Sequence, residues 1–313
     1  MNFKNFCTQV EEAMKERYED ATVNLCDVAK NNGVKYTCLN VCNKGSKLSE
    51  VIYLEPLYDA FLNGASFLEI MARIDAARQN SKGTDFDLDY FMDFDKVRNR
   101  LYIKLVNYKK NKELLLQCPH RKFADLAVLY YCKVKDKPSE GIVVIKTEHA
   151  NSWNVTEEEL YTAAMNNAIR ENDYTIIPLL DVIKGRMGLE FMPNEKTAEI
   201  ESAYKNLKIL TNKDKTYGAS VIMNPGLLQK LAREFNKNMY ILPSSIHESI
   251  LVLDDNDTFD PHMAFNLFGM VQVVNATELE DEDVLSDNVY YYDRNKDEIY
   301  DYDNDTSLQV MLA

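Results

Sequence analysis

ATVNLCDVAKNNGVKYTCLNVC, residues 21–42, consists of two alternating apolar and polar runs on either side of Asn31-Asn32-Gly33. Alternation with period two places successive side chains on opposite faces of a strand, and Asn and Gly tolerate the left-handed conformations of a tight turn. The stretch therefore predicts a β-hairpin. With Gly33 in the left-handed position of a three-residue loop, paired residues have numbers that sum to 64. Val23 then faces Val41 and Leu25 faces Leu39 on one side of the sheet, so register and apolar pattern agree. On the other side Cys26 faces Cys38, with Cys42 further along.

Before the hairpin, Phe3, Phe6, Cys7, Val10, Ala13 and Met14 recur at three-and-four spacing, which predicts an amphipathic helix lying on this sheet. After it, VIYL (51–54) extends the sheet, and Leu57–Leu62 and Phe67–Ala77 read as helices. Asp95 to Leu116 reads mostly as helix. ADLAVLYYCKV (124–134) and GIVVIKT (141–147) read as paired strands, and Thr156 with Glu159 forms a capping box for a helix to about Arg170. Asp173 to Leu207 loses clear periodicity and reads as a mobile connection. YGASVIM (217–223) reads as a strand, Asn224-Pro225 as a helix start, MYILPSSIHESILVL (239–253) as strand, turn and strand, and Asp260-Pro261 as the start of a helix to about Val274. NVYYYD and EIYDY close the chain as a hairpin. The expected fold class is α+β, with mixed or antiparallel sheets and packed helices in two layered domains. These are residues 1–118 and 119–300, the latter with its mobile connection near 173–207, followed by an acidic tail at 301–313.

The 313 residues are 46% hydrophobic and 11% aromatic, a composition that supports a packed core and argues against disorder. The first twenty residues mix charges with apolar positions, which predicts no signal peptide, and no stretch approaches the roughly 20 apolar residues of a membrane helix. A cytoplasmic location follows as an expectation, with the six cysteines as reduced thiols. The net charge of −14 is concentrated: from Asp254 to Asp305 sixteen carboxylates face only Arg294 and Lys296, while the rest of the chain is balanced. Such a surface repels phosphates and anionic lipid, so direct nucleic-acid or membrane binding is not expected, whereas a basic protein surface is a suitable partner.

LPSSIHE (242–248) gathers two hydroxyls, an imidazole and a carboxylate beside a strand, so Ser244, Ser245, His247 and Glu248 are the candidate catalytic residues. A serine nucleophile needs a base oriented by a third group, and His247 is the nearest base; the competing reading is a proline-initiated turn whose hydroxyls bond the backbone. Cys26, Cys38 and Cys42 could offer thiolates to zinc, but no fourth ligand is visible and small buried thiols commonly pack as apolar groups. Asp85, Asp87, Asp89, Asp93 and Asp95 recur with a spacing that suggests calcium ligands, yet Tyr90 stands where the calcium loop requires glycine and Lys96 where it requires glutamate. His149, near Trp153, could mark a pocket or simply pack, and His120 and His262 stand apart. Phosphate-loop, dinucleotide, zinc-protease and nucleophile-elbow motifs are absent from the sequence. No cofactor is expected.

DFDKVRNRLYIKLVNYKKNKELL (93–115), PHRKFADLAVLYYCKV (119–134), NVTEEELYTAAMNN (154–167), ILTNKDKTYGASVIM (209–223), LPSSIHESILV (242–252) and LSDNVYYYDR (285–294), in this order, resemble a Firmicutes protein family of unknown function, domain of unknown function family 5688. The resemblance spans about Asp85 to Arg294, and the N-terminal helix and hairpin also fit it. It implies a bacterial intracellular protein carried on mobile elements, and it brings no catalytic residues with it. The expected function is a non-catalytic protein-interaction or accessory module. The alternative is an unrecognised hydrolase or small-ligand-binding enzyme centred on LPSSIHE, and a weaker third reading makes the acidic segment a nucleic-acid mimic.

Overall fold

The computed structural model describes residues 1–43, 50–81, 88–136, 139–187, 194–302 and 308–310. The chain forms two compact units, Met1–Leu88 with Val134–Gly141, and Asp89–Lys133 with Ile142–Ala313. Among the described residues the architecture is α+β with three antiparallel sheets.

In the first unit, helix α1 (Phe3–Arg17) precedes a sheet of β1 (Ala21–Ala29), β2 (Lys35–Asn43) and β3 (Glu50–Tyr53), followed by α2 (Glu55–Leu62) and α3 (Phe67–Ser81). The hairpin has the expected register: Val23 pairs with Val41, Leu25 with Leu39 and Cys26 with Cys38. Asn32 and Gly33 both take positive φ in the turn. The apolar stripe of α1, Phe6, Val10 and Met14, is buried with Val23, Leu39 and Val41 of the sheet and Ile70 and Ile74 of α3. Each such side chain contributes about 2 kcal/mol by leaving water.

The chain continues, mainly within the second unit, with α4 (Leu88–Phe91), α5 (Phe94–Val97), β4 (Leu101–Asn107), α6 (Lys112–Leu115), β5 (His120–Phe123), β6 (Leu126–Asp136) and β7 (Ser139–Val144). Strands β4 and β5 flank β6, and β7 also pairs with β6. Residues 95–116 are thus largely not the expected helix. LYIKLVN is buried on both faces, because it pairs with β6 from Leu101↔Cys132 to Asn107↔Leu126 and Asn167 of a following helix donates to the Leu101 carbonyl at 2.9 Å. A doubly covered strand is a near-continuous apolar run, which periodicity cannot separate from a buried helix.

Next come α7 (Thr147–Trp153), α8 (Glu157–Glu171), β8 (Thr175–Pro178), α9 (Leu179–Met187), α10 (Asn194–Tyr204) and β9 (Leu207–Thr211). The Thr156–Glu159 capping box opens α8 as expected: the Glu159 carboxylate accepts from the Thr156 amide at 2.8 Å, and the Thr156 hydroxyl accepts from the Glu159 amide at 3.3 Å. The interval 173–207 corrects the expectation of an irregular connection, since β8, α9 and α10 occupy it, with 188–193 outside the described residues. Strand β8 is recruited by pairing with β9, which a window of only four residues does not reveal.

A 3-10 helix (Gly218–Met223), α11 (Leu227–Phe235), β10 (Met239–Leu242), β11 (Ser249–Leu253), α12 (Pro261–Thr277), β12 (Val289–Asp293), β13 (Glu298–Tyr302) and β14 (Leu308–Val310) complete the unit. Its large sheet runs β14-β13-β12-β10-β11-β9-β8. Helix α12 is capped by Asp260 as expected and buries Ala264, Leu267 and Val271 with Tyr240, Val252 and Tyr291 of that sheet. Helix α11 starts after Gly226, at φ 70°, rather than at Asn224-Pro225, whose Asn224 carbonyl closes a turn with the Leu227 amide.

Asp125, in the turn between β5 and β6, joins the two sheets of this unit. Its carboxylate accepts from the Ser286 hydroxyl at 2.6 Å and from the Tyr290 hydroxyl at 2.5 Å. Burial of Tyr290, reinforced by the Asp125 charge, holds its phenol well above the ordinary tyrosine pKa, so it remains a donor. Tyr290→Phe leaves a carboxylate oxygen without this partner and is expected to destabilise the protein by about 1–3 kcal/mol, read from urea unfolding. An unchanged unfolding midpoint would show that this bond does not hold the sheets together.

Candidate functional site

The end of β9, the 3-10 helix and the LPSSIHE segment converge where no side chain fits. A β-carbon on Gly218 would lie 2.1 Å from Thr211 Oγ1, 2.5 Å from the His247 carbonyl oxygen and 2.8 Å from the Asn212 nitrogen. The Thr211 hydroxyl donates to the His247 carbonyl at 2.7 Å, and the Ala219 amide donates to the Ile246 carbonyl at 3.3 Å. Tyr217 must take a left-handed φ of 53° to enter this approach, so YGASVIM forms a 3-10 helix in place of the expected strand. The tightness of the backbone contact, rather than side-chain preference, decides its conformation.

Within this frame Ser244 and Ser245 are buried, while His247 and Glu248 are half-buried. The Ser244 carbonyl accepts from the Leu285 amide at 2.7 Å, and Ser245 bridges Val284. The Ser245 hydroxyl accepts from the His247 amide at 3.0 Å, a local turn bond. The His247 Nδ1 accepts from the Tyr217 amide at 3.3 Å, which places the proton of the neutral ring on Nε2, 3.3 Å from Asp283 Oδ1. The Ser245 hydroxyl thus meets the backbone of His247, while both imidazole nitrogens are directed to other residues.

The residues surrounding His247 are ones that sequence reading passed over. Its ring lies parallel to Tyr217 with centroids 6.0 Å apart; Tyr217 also meets the edge of Tyr131 at 5.4 Å and the Lys104 ammonium at 4.7 Å from its ring centre. Lys104 is buried within a largely apolar strand, the one charge in LYIKLVN and the signal that could have marked it. Asp283 stands inside the run ELEDED and carries no distinguishing signal. A nearby cavity of about 50 Å³, lined by Tyr102, Tyr131, Lys133, Glu171 and Ser220, has the volume of one or two water molecules.

Cys26 and Cys38 are brought opposite one another, but Cys42 is four residues along the same strand from Cys38. At the strand rise this is about 13 Å, too far to share one tetrahedral zinc. Burial raises the Cys38 thiol to about 11, a protonated packing group. Among the described residues no cluster of His, Cys, Asp or Glu has the arrangement of a metal site. Asp85, Asp87 and the side chain of Asp89 lie outside the described residues, while Asp93 caps α5 and Asp95 pairs with Arg98. His120 Nδ1 bonds the Cys118 carbonyl, and His262 is exposed in the first turn of α12. His149 packs edge-on against Phe91 at 5.1 Å and near Trp153, its Nδ1 accepting from the Lys146 amide.

The acidic segment is woven into the fold. The buried Asp254 carboxylate accepts from the Asn256 and Thr258 amides and from the Tyr291 hydroxyl, Asp257 accepts from the Asn238 amide and Arg294, and Asp287 accepts from Asn275. Beside Asp257 opens a cleft of about 250 Å³ with Phe259, Tyr291 and Tyr300 in its walls and Asp293 and Lys296 next to them. The Lys296 ammonium lies 5.1 Å from the centre of the Tyr300 ring and 3.7 Å from Asp293. Aromatic faces and carboxylates are the groups to which a cation is attracted.

Residues 3–294 match the family of unknown function DUF5688, and the chain belongs to that family. No curated protein and no solved structure matches it. No helix among the described residues is long and apolar enough to cross a membrane.

Gly218→Ala forces a methyl group against backbone atoms and is expected to cost more than about 3 kcal/mol or prevent folding, whereas Gly185→Ala, in open space on α9, should be neutral or stabilising by up to about 1 kcal/mol. Comparable denaturation midpoints for the two variants would contradict the close approach. Burial, with the Lys146 charge added, lowers the His149 pKa below 6.5. Its contribution to stability is therefore complete above pH 6.5 and lost as pH falls through the folded value. Thermal melts between pH 7.5 and 5 should show a steeper decline for the native chain than for His149→Gln.

Proposed function

We propose that this protein is a non-catalytic, cytoplasmic interaction module that binds a basic protein surface through the cleft between Phe259, Tyr291 and Tyr300. The supporting observation is the cleft itself: about 250 Å³ in which Phe259, Tyr291 and Tyr300 stand among polar groups that include Asp257 and Asp293, and in which the chain's own Lys296 adopts the pose an incoming lysine or arginine would take. Lys296 is exposed and holds Asp293 and Tyr300 through surface contacts, which contribute little, so a partner's cation can displace it at little cost. Much of the surrounding negative charge is already engaged in caps and turns. Recognition then rests on one shaped cleft rather than on diffuse attraction, which favours a protein side chain over a role as a nucleic-acid mimic.

The hydrolase alternative draws support from the His247–Asp283 pair, which resembles the acid–imidazole half of a serine triad. Against it, Nδ1 is held by the Tyr217 amide and Nε2 faces Asp283, leaving no ring nitrogen directed at Ser245. Fluorescence anisotropy with a lysine- and arginine-rich peptide is expected to show binding that weakens with added salt and falls at least about fivefold in Asp293→Asn or Phe259→Ala. Turnover across a hydrolase substrate panel, abolished by His247→Ala in a chain that still melts cooperatively, would overturn the interaction reading in favour of the alternative.

A further inference from the structure

The cavity beside Tyr131 draws its lining from β4, β6, α8 and the 3-10 helix, segments far apart in the chain. Tyr102 of β4 pairs in register with Tyr131 of β6, and their rings stack with centroids 5.5 Å apart. Tyr131 is 2% exposed, and among the described residues no group forms a hydrogen bond with its hydroxyl. That oxygen is not sealed within the protein either, but opens on the cavity that the residue lines. Burial, reinforced by the nearby Asp214 and Asp173 charges, holds the phenol above the ordinary tyrosine pKa, so it is a donor. Phenylalanine would keep the same ring contacts without a buried hydroxyl to satisfy, so the group that Tyr131 adds serves an occupant of the cavity.

Three charges of the lining come from different elements: Lys133 from β6, Glu171 from the end of α8 and Asp173 from just beyond it. Each is paired outside the lining, Lys133 with Asp214, Glu171 with Arg170 and Asp173 with Lys213, and among the described residues they do not pair with one another. Hydrogen-bond capacity is left on all three. Lys133 keeps further N–H groups, Glu171 keeps Oε2 because Tyr102 and Arg170 both meet its Oε1, and Asp173 keeps Oδ2 because Lys213 meets its Oδ1. Ala164 and Ala168, one turn apart on α8, leave room beside these groups. We propose that this cavity binds a small α-amino acid, glycine or alanine, with its ammonium held by Glu171 and Asp173 and its carboxylate by Lys133 and the Tyr131 hydroxyl. A ligand carrying both charges complements a lining that presents both signs. A volume of about 50 Å³ restricts the ligand to a few heavy atoms, and an ammonium and a carboxylate on one carbon make a compact compound of that kind. An anion alone would leave two carboxylates unmatched, and a cation alone would be repelled by Lys133. The site shares no lining residue with the cleft at Phe259 and takes a free small molecule rather than a protein side chain.

Saturation-transfer NMR of the full chain with glycine and L-alanine tests the proposal. Both are expected to bind with a dissociation constant of about 1 mM or tighter, whereas acetate and methylammonium, each carrying one of the two charges, should bind at least about tenfold more weakly. Leucine, too large for the cavity, should not compete. Tyr131→Phe should keep the urea unfolding midpoint, since the hydroxyl has no partner within the protein, and weaken glycine binding at least about tenfold. Ala168→Leu fills the cavity and should abolish binding with the circular dichroism spectrum unchanged. Basic-peptide binding at the Phe259 cleft should be the same in both variants, so the two sites are read separately. No transfer at about 20 mM glycine, which leaves the cavity to water, overturns the proposal. Acetate or methylammonium binding as tightly as glycine, or glycine binding that Tyr131→Phe and Ala168→Leu leave unchanged, does the same.

Discussion

A β-carbon at residue 218 would lie 2.1 Å from Thr211 Oγ1 and 2.5 Å from the His247 carbonyl, so three stretches of chain can meet there only through glycine. That approach sets much of the site around it. It turns Tyr217 into the left-handed region, delivers the Tyr217 amide to His247 Nδ1 and aligns the two rings. It also brings the Thr211 hydroxyl onto the His247 carbonyl at the end of β9. Two hydroxyls and an imidazole are thereby held in place by backbone partners, the usual fate of polar groups in a buried turn, where an unmade hydrogen bond costs more than a made one contributes.

The same economy governs the acidic half of the molecule. A local balance of −14 over fifty-two residues suggests a solvated, repulsive tail, yet Asp254, Asp257, Asp260 and Asp287 each accept from amides, hydroxyls or side-chain nitrogens within the fold. A carboxylate receiving two or three such bonds serves as a rigid cap, and its charge is partly offset locally. What distinguishes this region is the cleft beside Asp257, in which rings and carboxylates converge, together with a helix, α12, from which charge is absent.

Strong local signals translated directly. The hairpin at 21–42 combined alternation, a turn and matched apolar positions, and its register followed. The Thr156–Glu159 box and the Asp260 cap did likewise, because each is completed by atoms within one turn of helix. LYIKLVN and TIIP were misjudged because their burial comes from strands far along the chain: β4 needs β6, and β8 needs β9. The candidate site was legible only in part. LPSSIHE stood out for its composition, whereas Lys104, Tyr217 and Asp283 join it from three separate segments.

Sequence alone determined the α+β character, the pairing of the first hairpin, the helix starts with local caps and the location of the charge, since these depend on atoms close together in the chain. Family membership across residues 3–294 rests on sequence as well. Tertiary structure decided which apolar runs became strands, which polar atoms of LPSSIHE were already engaged, and where aromatic rings met carboxylates. Those outcomes depend on burial and on hydrogen-bond partners supplied by distant segments, and neither can be counted until the chain has closed upon itself.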